Sequence, residues 1–408
     1  MSMRMPSFFR FFLCSRWSFL FGILTMLLLV GIAFGVYRCQ DDAPPFEIAD
    51  QLGGNIFPSA ILSTATTDTL LVPPTAAHYV GNPKSPFAIV VHNQRADSRV
   101  RVELSATPFF QQSVSEFVLP KANTDYTIYP EVLWDYEKLR QNGQAQPINV
   151  VAAVTLGRQQ LGTHHRTMSM RAVGECLLGY YRTWPGGNRG YRNTGILFAA
   201  YVNEDNPQID EILREALNTR IVRRFQGYQT GTAASVDKQV YALWHVLQQR
   251  KFRYSSISNT SLSSNVIFSQ RVRPFNDALR SSQINCVDGS VLFASLLRAI
   301  NITPILVRTP GHMFVGYYSD NKRKDLTFIE TTMIGDVDLD DYFPDEKLDS
   351  TMVGMSQKQA SRMTFDKAKQ YAANNYEKHK EKLQKGTPGY MFLEISKRVR
   401  SRIQPLGL

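Results

Sequence analysis

The stretch "QINCVDGSVLFASLLRAIN", residues 283–301, decides the predicted fold, because it joins one cysteine to an almost wholly apolar run. From Cys286 to Ile300 only Asp288 and Arg298 are charged, and apolar side chains fall on every face of a helix drawn through the run. A helix that is apolar on all sides is one that other elements cover. The stretch therefore predicts a helix over 286–300, sheathed inside a globular domain, with the cysteine at its start.

The position of Cys286 has two interpretations. A buried cysteine often serves only as a small apolar side chain. At the N-terminus of a helix, however, unsatisfied N–H groups and the positive end of the helix dipole favour thiolate over thiol. The same N–H groups can donate to an oxyanion when sulfur attacks a carbonyl carbon. The residue is thus a packing residue or the nucleophile of a hydrolase or acyltransferase.

Two residues downstream have the chemistry that a thiolate nucleophile needs. His312, in "TPGHMFVGYY", starts a predicted strand directly after a Pro-Gly turn, and a histidine can return a proton to a leaving group. Glu330 ends the next predicted strand, in "LTFIETT", and a carboxylate there can hold the imidazole in one tautomer. Each residue alone has a structural explanation, as a strand histidine or a solvated strand end. Together, if the two strands are neighbours, Cys286, His312 and Glu330 predict a catalytic site.

No other constellation predicts a metal or cofactor site. The remaining histidines show no HExxH motif and no spacing typical of a two-histidine metal site. The Asp-rich segment 335–346, "GDVDLDDYFPDE", lacks the full spacing of a calcium loop, which favours an exposed acidic loop. The Gly-rich segment 182–195 lacks the GxGxxG spacing of a dinucleotide site and is predicted to be a plain connection. We therefore expect neither a metal nor a cofactor.

The 408 residues are more than one average domain requires. Residues 38–85 are rich in Pro, Gly, Thr and Ser and are predicted to form a linker. Short alternating runs in 86–174 predict a small antiparallel β-sandwich, to which we assign 86–181. The region 196–408 has amphipathic helices, then the cysteine helix, then three strands. A charged helix at about 357–384 and the apolar segment "YMFLEI" follow.

The N-terminal region predicts a membrane anchor. Residues 17–37 contain no charge and form a helix about 31 Å long, which matches the hydrocarbon thickness of a bilayer. The segment 1–16 carries three arginines, whereas Arg38 is followed closely by aspartates, so the N-terminus should be cytoplasmic and the bulk of the chain periplasmic or extracellular. Cleavage by a signal peptidase is the alternative. The absence of a small-x-small site after the apolar run favours an uncleaved single-pass anchor.

Charge and cysteine content indicate which kinds of partner and structural site the chain is not expected to have. The formal charge is +11, from 46 basic and 35 acidic residues, but the basic residues are spread and no nucleic-acid motif accompanies them, so no nucleic-acid partner is expected. The four cysteines are scattered and include no CxxC, which excludes a disulfide scaffold and a zinc ribbon. A pairing of Cys39 with Cys176 outside the membrane stays open.

The core "NCVDGSVLFASLLRAINITPILVRTPGHMFVGYY" resembles the transglutaminase-like superfamily, which has a papain-like fold. It is similar in particular to a bacterial group with a Cys-x-Asp helix followed by a Pro-Gly-His-x-Phe-Val-Gly strand, and the resemblance covers about 200–408. It implies an α+β fold class, with a papain-like domain at 196–408 behind the β-sandwich and the transmembrane helix. By carry-over, Cys286 would be the nucleophile, His312 the general base and acid, and Glu330 the orienting carboxylate.

The chain departs from the superfamily pattern at two positions. The third member of the triad is usually Asp, and true transglutaminases often carry Trp after the cysteine, where this chain has Val287. The resemblance therefore implies amide chemistry in general, with a thioester captured by water or by an amine, on a protein or peptide substrate. The leading hypothesis is a membrane-anchored thiol hydrolase or acyltransferase. The alternative is a non-catalytic envelope scaffold that binds partner proteins or cell-wall peptides.

Overall fold

Helix and strand each account for 31% of the computed structural model, so the fold is mixed α and β with several sheets. The structure describes Met26 and residues 44–183, 187–255, 263–335 and 337–407. It divides into two units, Met1–Glu47 and Ile48–Leu408. Apart from Met26, the predicted segments 1–16 and 17–37 lie outside the described residues. No helix among the described residues is long and apolar enough to cross a bilayer.

The described stretch from Phe46 to Met170 is dominated by strands and contains two short helices. The strands are β1 Phe46–Asp50, β2 Asn55–Ile56, β3 Tyr79–Gly81, β4 Phe87–Asn93, β5 Ser98–Leu104, β6 Phe110–Gln111, β7 Ser113–Leu119, β8 Thr124–Tyr129, β9 Leu133–Trp134, β10 Gln146–Leu156 and β11 Gln159–Met170. The helices are α1 Pro58–Thr64 and α2 Tyr136–Gln141.

Most of these strands belong to two sheets. One has the order β2-β11-β10-β5-β7, and in the other β4, β8 and β3 are neighbours in that order. The alternation in β5 shows why the chain is extended here. Val100 and Val102 are fully buried, while the residue before each of them, Arg99 and Arg101, is exposed. Side chains of a strand point to opposite faces in turn, so this pattern buries one face and leaves the other in water.

Part of the predicted linker 38–85 is folded. It contains β2, α1 and β3, and Phe57 beside α1 is buried. Strand β2 pairs parallel to β11, and β3 pairs parallel to β8. The pairs β10–β11, β10–β5, β4–β8 and β5–β7 are antiparallel. Pro and Gly content predicts weak local structure, but it does not report whether a short segment pairs with a distant strand. The purely antiparallel arrangement predicted for this region therefore gains two parallel edges.

The second half alternates helices and strands. The strands are β12 Glu175–Thr183, β13 Arg189–Asn193, β14 Arg253–Tyr254, β15 Ile267–Arg271, β16 Gln283–Ile284, β17 Pro304–Thr309, β18 His312–Tyr318, β19 Leu326–Ile329 and β20 Met391–Glu394. The helices are α3 Pro207–Asn218, α4 Ala233–Gln249, α5 Phe275–Ser281, α6 Cys286–Ala299, α7 Leu348–Met352, α8 Gln357–Gln384 and α9 Lys397–Arg400. Short 3₁₀ turns occupy Gly195–Tyr201 and Thr331–Met333.

An antiparallel sheet of order β19-β18-β17-β20 positions the region of interest. Helix α6 packs on β17 and β18, and helix α8 packs on β19. The predicted helix and the three strands that follow it are confirmed, and so is the predicted charged helix, observed as Gln357–Gln384. The acidic loop predicted for 336–349 is slightly shorter than predicted, because α7 begins at Leu348.

Helix α6 is sheathed, as its composition predicted, because every residue from 286 to 297 is buried. Trp244 of α4 is fully buried, with its ring 6.3 Å from that of Phe293 on α6 and 5.8 Å from that of Phe365 on α8. Its indole nitrogen donates a hydrogen bond to Thr364. Aromatic burial of this kind contributes strongly to cores. Trp244 thus packs α4 against the middle of α6.

Another sheet has three strands in the order β13-β12-β15. Strand β12 begins within the range 86–181, and β15 lies within 196–408, so the two ranges predicted as separate domains share a sheet. Both belong to the unit Ile48–Leu408. Strand β13 falls inside the segment 182–195, for which we predicted a plain connection, and it pairs with β12 from Gly179 to Thr183.

Candidate active site

A capping box fixes the start of α6. The Asn285 side-chain oxygen accepts hydrogen bonds from the backbone N–H groups of Val287 and Asp288, both at 2.8 Å. The Asp288 carboxylate in turn accepts from the backbone N–H of Asn285 at 3.4 Å. Such reciprocal bonds satisfy the N–H groups that a helix start leaves open. They make Cys286 the first helical residue, where the helix dipole favours an anion.

The capping box leaves one backbone donor at the site. The N–H of Gly289 bonds to the carbonyl of Asn285 at 2.9 Å, and those of Val287 and Asp288 bond to the Asn285 side chain. Among the described residues, no acceptor takes the N–H of Cys286. A donor next to Sγ is therefore available to an oxygen that becomes negative when sulfur attacks a carbonyl carbon.

His312 and Glu330 are in direct contact. The imidazole Nε2 lies 2.6 Å from Glu330 Oε2. Glu330 is fully buried, and its other oxygen, Oε1, accepts from the backbone N–H of Thr332 at 3.1 Å and from its hydroxyl at 2.8 Å. Both carboxylate oxygens are thus held by donors. Because Nε2 faces Glu330, Nδ1 is the ring nitrogen left for the cysteine.

The electrostatics of His312 link all three predicted residues. Burial lowers the pKa of His312, but the nearby Cys286 and Glu330, as negatively charged groups, outweigh burial and raise the pKa to about 10. Imidazolium is therefore the stable form at neutral pH. A positive charge beside sulfur favours the thiolate. The structure thus brings Cys286, His312 and Glu330 together.

A tight turn and the pairing of β17 with β18 determine the position of His312. Pro310 and Gly311 connect β17 to β18, and Gly311 has a φ of +76°, which a side-chain-bearing residue adopts only at a cost. Pro followed by a residue of positive φ is typical of a type II turn. The turn brings Thr309 opposite His312. Strand β19 pairs antiparallel to β18, so the two strands on which the predicted site depends are neighbours.

Gly289 lets α6 approach the turn that follows Glu330. A Cβ added there would lie 3.0 Å from the Thr331 hydroxyl and 3.3 Å from Ile284, closer than ordinary contact. The hydroxyl of Ser290 lies 3.2 Å from that of Thr331, which ties the same two elements together. A small residue at position 289 therefore keeps the helix carrying Cys286 close to the turn carrying Glu330.

Gly289→Val should destabilise the protein by about 1–3 kcal/mol, because an isopropyl side chain enters a contact with no spare room. The measurement is urea unfolding of the purified variant. Displacement of the turn should also slow alkylation of Cys286. Unchanged unfolding midpoint and unchanged alkylation together would contradict the close packing of α6 on Thr331.

Cys286 and His312 border a cleft of about 500 Å³. Tyr181, Tyr191 and Phe268 form one wall, with ring centroids 5.7 to 6.0 Å apart in edge-to-face contacts. Sequence reasoning missed this wall, because β13 was predicted to be a connection. It also missed Arg308, because in the sequence this residue looks like the polar end of an apolar strand. The described residues that line the cleft are Leu178, Tyr181, Tyr191, Tyr254, Ser263, Phe268, Ser269, Gln270, Asn285, Cys286, Val287, Arg308, Gly311, His312, Met313, Pro388 and Gly389.

The two cysteines in the described part of the chain are both free thiols. Cys286 lines the cleft, whereas Cys176 is fully buried, and burial raises the pKa of Cys176. Cys14 and Cys39 lie outside the described residues, and with them the possible pairing of Cys39. Cys286 is thus the described thiol that a reagent in the cleft can reach.

An acidic cluster lies in the loop for which the sequence indicated no full calcium motif. Carboxylate oxygens of Asp338, Asp340 and Asp349 lie within 4.8 Å of one another. The neighbouring Asp349 carboxyl group raises the pKa of Asp338. None of the three lines the cleft. The cluster has oxygen ligands that suit a hard cation, but it is separate from the cysteine site.

Comparison with models of known protein families gives no match, and comparison with curated proteins gives none. The chemistry of the cleft residues is therefore the basis on which function can be inferred.

Proposed function

We propose that the chain is a thiol hydrolase or acyltransferase that acts on peptide or isopeptide amides. Cys286 is the nucleophile, His312 the general acid and base, and Glu330 the residue that orients His312. The single observation that carries this proposal is the 2.6 Å hydrogen bond between buried Glu330 and His312, whose imidazole lines the same cleft as Cys286 at the start of α6. A nucleophile, a base and an orienting group in series are what acyl transfer requires.

The resemblance to the transglutaminase-like superfamily supports the same reaction class. We extend the proposal to the finer architecture that it implies: a papain-like domain at 196–408, a β-sandwich at 86–181 and a membrane anchor at 17–37. In this arrangement the site faces the periplasm or the exterior. The observed order of helix α6, strand β18 and strand β19 around the three residues is consistent with it.

The first half-reaction forms a thioester. The Cys286 thiolate attacks the carbonyl carbon of the amide, and the carbonyl oxygen becomes an oxyanion that accepts a hydrogen bond from the Cys286 N–H. The His312 imidazolium then gives its proton to the nitrogen of the leaving amine. The C–N bond breaks, the amine departs, and the acyl group stays on sulfur. Neutral His312 remains, with its tautomer held by Glu330.

The second half-reaction releases the acyl group. Neutral His312 takes a proton from water or from an incoming amine, which attacks the thioester carbon. The tetrahedral intermediate collapses and expels the thiolate. The product is a carboxylic acid when water attacks and a new amide when an amine attacks. The thiolate and imidazolium are restored in both cases.

The test uses p-nitrophenyl acetate, because an active ester acylates an activated thiol without knowledge of the natural substrate. We expect a burst of about one p-nitrophenolate per chain. An acetyl group should be found on Cys286 by mass spectrometry of the rapidly quenched protein. Cys286→Ala should abolish the burst.

The matched control is Cys176→Ala, which removes the buried thiol away from the cleft and should leave the burst unchanged if the variant folds. A burst that persists in Cys286→Ala, or a wild-type protein that is never acetylated on Cys286, would contradict the proposed nucleophile. The second outcome is what a non-catalytic scaffold predicts.

A further inference from the structure

Arg308 is a cation in the wall of the cleft that the proposed reaction does not use. It lies near the end of β17 on the same face as Leu306, which is packed in the core that contains α6. Its side chain is partly buried. Burial lowers the pKa of Arg308, while Tyr191, Cys176 and Cys286 oppose this effect, which places the guanidinium within electrostatic range of the proposed nucleophile.

The guanidinium has no acidic partner among the described residues. Its single hydrogen bond there is from Nη1 to the carbonyl of Gly389, at 3.1 Å. A guanidinium has five N–H donors, so most of them are unused. The undescribed segment 256–262, which adjoins cleft residue Ser263, has no Asp or Glu in its sequence.

Three other partly buried arginines have acidic partners. Arg298 donates to Glu204 at 2.8 Å, and Arg400 donates to the same carboxylate at 3.2 Å. Arg171 donates to Glu175 at 2.6 Å. Removing a cation from water costs free energy unless an anion compensates for it. Arg308 differs from these residues because no described Asp or Glu pairs with it.

The rest of the cleft is also suited to an anion. None of its described lining residues is Asp or Glu. Besides Arg308, the ionisable cation in the lining is His312, which is protonated at neutral pH. Glu330 is fully buried behind His312 and is not part of the lining. A peptide that enters the cleft therefore meets two cationic side chains, those of Arg308 and His312.

We propose that Arg308 binds a carboxylate of the substrate close to the scissile amide. This inference rests on the proposed function and specifies its substrate class as acidic peptides. The planar guanidinium has a fork of N–H donors that matches the two oxygens of a carboxylate, a geometry that Lys does not offer. The carboxylate is either an acidic side chain or the free end of a peptide.

The test compares two alkylating reagents of similar size, the anion iodoacetate and the neutral iodoacetamide. The measured quantity is the ratio of their second-order rates with Cys286, since the ratio removes any change in thiolate reactivity that affects both reagents. We expect Arg308→Gln to lower this ratio by about tenfold or more, because the anionic reagent loses its charge-assisted hydrogen bonds. Arg308→Lys should keep part of the preference.

The matched control is Arg271→Gln. Arg271 is an exposed residue of β15 that does not line the cleft, so this variant loses the same charge without altering the wall. It should keep the wild-type ratio. A ratio that is the same in Arg308→Gln and in the wild type overturns the inference. If iodoacetamide still labels Cys286 rapidly in that case, the proposed function stands, whereas labelling as slow as in His312→Ala counts against the function itself.

Short peptides distinguish the two sources of the carboxylate by their ability to protect Cys286 from iodoacetamide. The probes are acetyl-Gly-Glu-amide, acetyl-Gly-Gly with a free carboxylate, and the neutral acetyl-Gly-Gln-amide. Protection by the first assigns an acidic side chain, and protection by the second assigns a terminal carboxylate, provided that Arg308→Gln removes the effect. No difference between the acidic peptides and the neutral peptide overturns the inference.

Discussion

Replacing His312 with alanine is expected to slow alkylation of Cys286 by iodoacetamide about a hundredfold or more at pH 6. The pKa of His312 is raised to about 10, so at this pH the imidazolium is present and favours the thiolate. Without it, an ordinary cysteine is less than about 1% thiolate at pH 6, and the thiolate is the species that reacts. The measurement is the labelling rate of Cys286, followed by mass spectrometry.

His92→Ala is the matched control for this experiment. His92 also contacts a carboxylate, Asp125, at 2.7 Å, but both side chains are exposed and neither lines the cleft. Labelling of Cys286 should be unchanged in this variant. Equal and slow labelling in the wild type and in His312→Ala would mean that no thiolate is stabilised, and the proposed nucleophile would have to be abandoned.

Replacing Glu330 with glutamine is expected to lower the rate of the thioester-forming step about a hundredfold or more. Glutamine has the same shape, and its oxygen can still accept from Thr332. Its amide nitrogen would then face His312 Nε2 and demand an acceptor there. The neutral imidazole would carry its proton on Nδ1, toward the cysteine, and could not take the proton of the Cys286 thiol, so less thiolate would be available for attack.

The pKa of His312 is the readout that separates this effect from simple loss of structure. Removing the Glu330 charge and hydrogen bond should lower that pKa from about 10, so that the imidazolium loses its proton at a lower pH than in the wild type. The titration is followed by NMR of isotope-labelled histidine, with the His312 signal identified by its absence in His312→Ala.

Asp237→Asn serves as the control for loss of a partly buried carboxylate. Asp237 pairs with Lys369 at 2.7 Å, away from the cleft lining, so the variant should leave both the titration of His312 and the rate of acylation as they are. A Glu330→Gln protein that acylates at the wild-type rate would remove Glu330 from the proposed mechanism.

The elements that carry the site follow from local pattern. The predicted helix from Cys286 ends within a residue of its observed end, and "PILVR" and "HMFVGYY" are strands as predicted. These predictions succeed because apolar periodicity and turn residues such as Pro310-Gly311 act over a few neighbouring positions. The proximity of His312 to Glu330 needed one further condition, that consecutive strands pair, which short connections favour.

Other features of the site have no local signal. Gly289 is a point of close approach only because the chain after Glu330 returns to the start of α6. The aromatic wall arises because β13 pairs with β12, although its sequence resembles a loop. Each of these depends on contacts between residues that are distant in sequence.

Taken by itself, the sequence determined the sheathed helix, the strands that follow it and the three residues whose chemistry belongs together, because hydrophobic period and residue type are local properties. Tertiary structure decided that part of the linker 38–85 joins the sheets, that Glu330 is fully buried, and that Arg308 faces the cleft without an acidic partner among the described residues. Burial and the pairing of charges are properties of the assembled fold. They follow from which distant segments meet, and the order of residues along the chain does not report this.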